Sequence, residues 1–204
     1  MKNFLKNLGL AFKNKNTTAQ SLWEAIGAPI SIAKTMGKYK NFTEEFFNDP
    51  YLCGWLTGYL KFMLENFFRI TDATKKGEIL MKFYERMDPN YFTKLDNFRK
   101  VNSMIKTHQE KKTAKDAVDS AFMTVAMFLN SPSKNQFASD PIYLEAEKFY
   151  QNGEWAKKQH IQSRIMGEKT KSINMPEHQA IAFRIMEITF MQHLYKKFKI
   201  TNKL

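Results

Sequence analysis

Three times in this chain an Asp-Pro pair heads a run whose apolar residues recur every third or fourth position: Asp49-Pro50, Asp88-Pro89 and Asp140-Pro141. An aspartate side chain accepts from the free N–H groups of a first helical turn, and proline suits that turn because its missing N–H has no partner there anyway. The pairs read as helix starts. The periodicity between them is helical, clearest in "TAKDAVDSAFMTVAMFLN", where Ala117, Val118, Ala121, Phe122, Val125, Phe128 and Leu129 form one apolar stripe. Only 8 Gly and 6 Pro interrupt 204 residues, too few for the turns of a sheet-rich fold. The expected class is all-α, an irregular helical bundle of about seven or eight helices.

Residues 49–68, "DPYLCGWLTGYLKFMLENFF", are apolar enough to raise the question of a membrane span, but their uncharged run is far short of the ~20 residues a span needs. On a helical wheel Gly54, Gly58, Lys61 and Glu65 fall on one line with Thr57 beside it, while large apolar residues fill the rest. That pattern describes a core helix with one narrow stripe, a candidate helix-docking seam where another backbone can approach the glycines.

Residues 1–16 read as a basic amphipathic N-terminal helix with no acid before Glu24. Its apolar Phe4, Leu8 and Phe12 and its Lys2, Lys6 and Lys13 are candidate contacts for a partner or a membrane surface. Residues 17–204 form a single helical domain, with a sub-boundary expected in the loop 131–140. Pro29 should kink or split the helix over residues 18–37. Pro89 should sit in the first turn of the next helix, and Asn174 and Glu177 have the spacing of a capping box.

The formal net charge is +12, carried by 27 Lys and 5 Arg. Residues 1–40 hold seven Lys and one acid, residues 155–204 ten basic residues and three acids, and residues 113–154 run acidic. The two ends thus read as the basic parts. Fifteen Asn accompany the lysines, a composition an AT-rich genome also produces, and scarce Arg disfavours base-specific DNA reading. The stretch "ISIAKTMGKYKNFTEEFFN" resembles part of a one-component helix-turn-helix repressor motif over fewer than twenty residues. Glu44 and Glu45 would then face phosphate, which opposes that use.

Chemistry is sparse. No glutamate is followed by histidine three residues on, no His-x-x-x-His occurs, and one cysteine excludes a Cys-based zinc site. His108, His160, His178 and His193 read as isolated surface histidines, Asp116 and Asp119 as a solvated helical face, and lone Cys53 as a buried small hydrophobe. Neither a catalytic residue nor a metal or cofactor is implied. Met123 and Met127 point away from the main stripe of their helix.

Arg184 and Glu187 fall on the apolar face of the last helix with Ala180, Met191 and Tyr195. They form either an ion pair at the edge of that face or a buried pair that marks a polar ligand site. The leading functional expectation is a non-enzymatic binding or adaptor protein whose basic ends engage an acidic protein or an anionic membrane surface. A nucleic-acid-binding protein held by nonspecific phosphate contacts is the second class. An enzyme or carrier with a hydrophobic ligand inside the bundle, near Arg184 and Glu187, is the third. The expected location is cytoplasmic, peripheral to a membrane if the N-terminal helix lies on one. Composition sets no oligomeric state.

Overall fold

The computed structural model describes residues 15–37, 39–158 and 175–200, among which no strand occurs. In chain order come α1 (Lys15–Met36), short α2 (Phe42–Asn48), α3 (Pro50–Phe62), α4 (Ala73–Met87), α5 (Leu95–His108), α6 (Lys112–Phe128), α7 (Pro141–Gln151), α8 (Glu177–Met186) and α9 (Gln192–Lys197). A π-turn, Met63–Phe67, extends α3, and another, Glu187–Met191, joins α8 to α9. The protein is an all-α bundle. No helix among the described residues is long and apolar enough to cross a membrane.

Caps set several of these boundaries. Asp49 Oδ1 accepts from the N–H groups of Tyr51 and Leu52, both at 3.0 Å, with Pro50 next in line. Asp140 does the same for α7 through Ile142 at 2.8 Å and Tyr143 at 3.4 Å. The third pair departs from expectation: α5 begins at Leu95, and Pro89 lies in the turn before it. The reason is tertiary. Asp88 ends α4, where its carboxylate binds Lys34 at 2.8 Å and Thr43 Oγ1 at 2.5 Å, so it ties three elements together; the hydrogen bond it accepts from the Tyr91 N–H, at 3.3 Å, opens only the single 3-10 turn Tyr91–Thr93.

Two other starts and breaks also differ. Helix α1 runs through Pro29 without splitting, because Leu22, Ile26, Ile30 and Ala33 are fully buried on both sides of it and hold the helix together. The cost is the one hydrogen bond that proline cannot donate. Helix α8 starts at Glu177 after Pro176, with no side-chain cap; Asn174 lies outside the described residues.

The main core is aromatic. Trp55 stacks between Tyr59, at 5.2 Å, and Phe190, at 4.3 Å. Its buried indole N–H donates to Thr189 Oγ1 at 3.2 Å, and that hydroxyl donates to the Ile185 carbonyl at 2.7 Å. Thr189, at the centre of the π-turn, thus bonds back to the carbonyl four residues earlier and receives the tryptophan. A smaller cluster joins Met123 and Met127 of α6 to Ala146 of α7 and to Ile181, Ala182 and Ile185 of α8. The two methionines that leave the main stripe of α6 thus enter a second core.

Helices α3 and α6 run parallel in very close contact. A Cβ on Gly54 would stand 2.5 Å from the Ala114 carbonyl oxygen and 2.9 Å from its Cα, and one on Gly58 would stand 3.1 Å from the Val118 Cα. Farther along, Phe62 meets Phe122 with ring centroids 4.7 Å apart. Because the obstruction at Gly54 is backbone, Gly54→Ala should destabilise the fold by about 1–3 kcal/mol, the usual cost of overpacking. Gly58→Ala should cost less, since its neighbours are tight but can shift. Exposed Gly77 in α4, where a Cβ would meet nothing within 4 Å, should gain about 0.5–1 kcal/mol on change to Ala. Chemical denaturation of the three variants checks the order.

Candidate functional site

The stripe on α3 divides in two. At its glycine end the backbone of α6 covers it; at its charged end Thr57 and Glu65 are half-buried and Lys61 is exposed. Two hollows lie beside the stripe and meet at Thr57, Lys61 and Ile105; the first reaches back along the α6 contact to Gly54 and Gly58, and the second opens over the charged end. The first, about 520 Å³, lies between α3, α5 and α6 and includes Cys53, His108 and Asp119. The second, about 530 Å³, lies between α3, α4 and α5 over Leu64, Leu80, Tyr84 and Phe98. Met81 and Leu95, 40% and 57% exposed, stand on its α4 and α5 walls.

The charges around the second hollow are mostly positive. Lys76 binds Glu65 at 2.8 Å, Arg99 pairs at 3.0 Å with an almost fully exposed Asp96, and Lys61 has no ion-pair partner among the described residues. The neighbouring cations Lys94, Lys106, Lys111 and Lys112 are exposed and also lack an ion-pair partner among the described residues. Residues 94–112 hold six basic residues (Lys94, Arg99, Lys100, Lys106, Lys111 and Lys112) against Asp96 and Glu110. A basic band in the middle of the chain thus joins the basic ends. The ends-versus-middle comparison missed it because the adjoining residues 113–154 are acidic.

His108 is the second departure from expectation. It is 7% exposed, and neither ring nitrogen has a hydrogen-bond partner. Phe98, Val101, Ile105 and His108 follow one another at spacings of three, four and three, so the periodicity carried the signal that this histidine continues the buried face. Burial and the nearby Lys111 charge push its pKa down, while the carbonyls of Phe47 and Asn48 pull weakly the other way.

Arg184 and Glu187 do meet, with Nη1 to Oε2 at 3.0 Å, and they stand at the edge of the bundle, with side chains 18% and 24% exposed. Arg184 also reaches Glu145 at 2.9 Å and lies 4.3 Å from the centre of the Phe149 ring. Lys158 completes the network on Glu187. Burial raises the Glu187 pKa, but hydrogen bonds and charge from Lys158 and Arg184 outweigh it and hold the carboxyl below its ordinary range. With each charge matched, this cluster joins α7, α8 and the helical residues 154–158. The N-terminal candidates Lys2, Phe4, Lys6, Leu8, Phe12 and Lys13 lie outside the described residues.

Two further groups have chemical potential. Asp49, already capping α3, lies 3.3 Å from His193 Nε2, and Tyr51 stacks on that imidazole at 4.4 Å. Burial raises the Asp49 carboxyl, and the hydrogen bonds from His193 and the Leu52 N–H more than reverse this, leaving it low. Burial pushes the Cys53 thiol up to about 12, which leaves it protonated and a poor nucleophile. No group of three His, Cys, Asp or Glu among the described residues is placed to hold a metal ion. Glu44 and Glu45, on the helix a repressor would use for reading DNA, instead pair with Lys100 at 2.7 Å and Lys197 at 3.9 Å, while Phe42, Phe46 and Phe47 of that helix are buried.

No protein-family model, characterised protein or solved structure matches this chain.

The histidine makes a pH prediction. With its folded pKa below the unfolded value, His108 contributes stability that is present above the unfolded pKa, about 6.5, and is lost as pH falls through the folded value, because the unfolded chain binds the extra proton. Denaturation midpoints should therefore fall between about pH 7.5 and pH 5.5, and His108→Leu should flatten that slope. An unchanged slope in the variant would assign the titration elsewhere, to His178, whose pKa burial also lowers.

Proposed function

We propose that this is a non-enzymatic binding protein that engages an acidic protein partner through its basic surface. The observation that carries the reading is the band of exposed cations on α5 and at the start of α6, Lys94, Lys106, Lys111 and Lys112, none with an ion-pair partner among the described residues. Exposed pairs contribute little to stability, so cations without a counter-ion are not there to hold the fold. They raise the local concentration of an anionic partner and speed its encounter.

An acidic protein fits better than nucleic acid. The band is almost all lysine, which serves as a point charge and lacks the fork that guanidinium offers to phosphate or guanine. Lys94 and Lys106 directly adjoin Leu95 and Ile105, which line an apolar hollow with exposed Met81, a combination suited to the apolar core and polar rim of a protein interface. A reducing compartment is proposed with it, since the single cysteine has no partner for a disulfide.

An acidic polypeptide such as polyglutamate can stand in for the partner. The protein should bind it at low ionic strength, with affinity falling steeply as salt rises from about 20 to 200 mM. Changing Lys94, Lys106, Lys111 and Lys112 together to Glu should abolish binding while leaving the helical circular dichroism unchanged. Binding that is absent at the lowest salt would mean the positive charge has no partner role. Duplex DNA retained at the highest salt, with polyglutamate lost, would favour the nucleic-acid alternative.

A further inference from the structure

The hollow between α3, α4 and α5 is an open groove with a mostly apolar lining. Its floor is Leu64, Leu80, Tyr84 and Phe98, and two of the largest exposed apolar side chains in the described structure, Met81 and Leu95, stand on opposite walls. Gly77, in the second turn of α4 and four residues before Met81, lines the same wall. A glycine inside a helix costs about 1 kcal/mol relative to alanine. At Gly54 the fold explains such a residue, because α6 presses on it. At Gly77 nothing lies within 4 Å of where a Cβ would be. Its smallness leaves room on this wall that no described residue uses.

We propose that this groove receives an acidic amphipathic helix of a partner protein, laid across α4 and α5 with its apolar residues over Leu80 and Phe98 and its backbone passing Gly77. The proposal rests on the acidic-partner reading above and specifies where and how that partner docks.

Three arguments select this occupant. The first is charge: Lys61, Lys76 and Arg99 line the groove against the single acid Glu65, which Lys76 already neutralises. Acidic flanks on the incoming segment would find Lys61 on α3, which has no ion-pair partner among the described residues, and Arg99 on α5, held only by a largely exposed Asp96, whereas basic flanks would meet repulsion. The second is backbone chemistry. All three walls are helical, so the groove has no strand edge to pair with an extended peptide, while a helix satisfies its own N–H and C=O groups and needs only an apolar face. The third is enclosure. A pocket for a small apolar ligand buries most of that ligand's surface, but the walls here keep Met81 and Leu95 40% and 57% exposed. An open channel with methionine on its wall suits the apolar stripe of a helix, for which Met offers an adaptable surface.

The test uses the full chain and a fluorescein-labelled helical peptide of about eighteen residues, with Leu at spacings of three and four and Glu on both flanks. Saturable binding is expected, with shifts of the Met81, Gly77 and Leu95 amide signals. Gly77→Leu fills the groove from a helical position where nothing clashes, so it should weaken binding about tenfold or more, or about 1.4 kcal/mol, without lowering the denaturation midpoint. Leu95→Glu, at an exposed site, should weaken it similarly.

No saturable binding, undiminished binding by Gly77→Leu, or equal binding of a peptide with Lys flanks would overturn the proposal. So would sodium laurate shifting those amides while the peptide leaves them unmoved, which would assign the groove to an acyl chain. If the helical peptide fails while polyglutamate still binds, this inference falls alone. If both fail, the acidic-partner reading falls with it.

Discussion

The contact between Gly54 and the backbone of Ala114 is the constraint on which the rest of the bundle depends. Without a side chain at that point, α6 lies close enough to α3 for Val118 and Ala121 to reach Gly58 and for Phe122 to reach Phe62. Close parallel packing leaves α6 with a second face, and Met123 and Met127 on that face build the smaller core with α8. Helix α3 in turn offers Trp55 from an adjoining face to Phe190 and Thr189. The C-terminal helices are therefore held from two directions by elements that a pair of glycines brings together.

The polar groups inside this arrangement join elements to one another. Thr189, inside the π-turn, bonds back to the Ile185 carbonyl and supplies the acceptor that a buried indole N–H needs. An unmet buried donor would cost about 1–3 kcal/mol, more than a typical hydrogen bond contributes net. Asp49 caps α3 and receives His193 from α9, so the start of one helix and the body of another are fixed by one carboxylate. Asp88 joins α4 to Lys34 and Thr43 in the same manner. Short acidic side chains at helix ends do in this protein what cross-linking loops do elsewhere.

How much of this was legible in the sequence follows from how local each interaction is. The caps at Asp49 and Asp140 bind N–H groups two and three residues away, so the Asp-Pro signal was sufficient. Asp88 carries the same signal and accepts from the Tyr91 N–H at 3.3 Å, but its shorter contacts are to Lys34 and Thr43, more than forty residues distant, and no local pattern contains them. Pro29 shows the same limit: buried neighbours on both sides outweigh the loss of one hydrogen bond. The burial of His108 was written in its spacing and hidden by its residue type. The central basic band was hidden by its acidic neighbour in sequence. The hollow beside α4 had no sequence signal beyond a lone Gly77, since its walls come from three successive helices whose relative placement no local pattern fixes.

One line on α3 carries both the packing and the opening. Its glycine half admits a backbone because nothing projects from it, and α6 closes over that half. Its second half carries Lys61 and Glu65. Covering these with an apolar helix would strip their hydration without supplying partners, a cost of several kcal/mol per charge. Lys76 reaches over to satisfy Glu65, and Lys61 keeps its head in water. The fold therefore cannot close there with an apolar element of its own. What remains is an apolar floor bordered by cations, a surface on which an incoming helix would need acids at its edges for the same reason that α6 needed glycines beneath it.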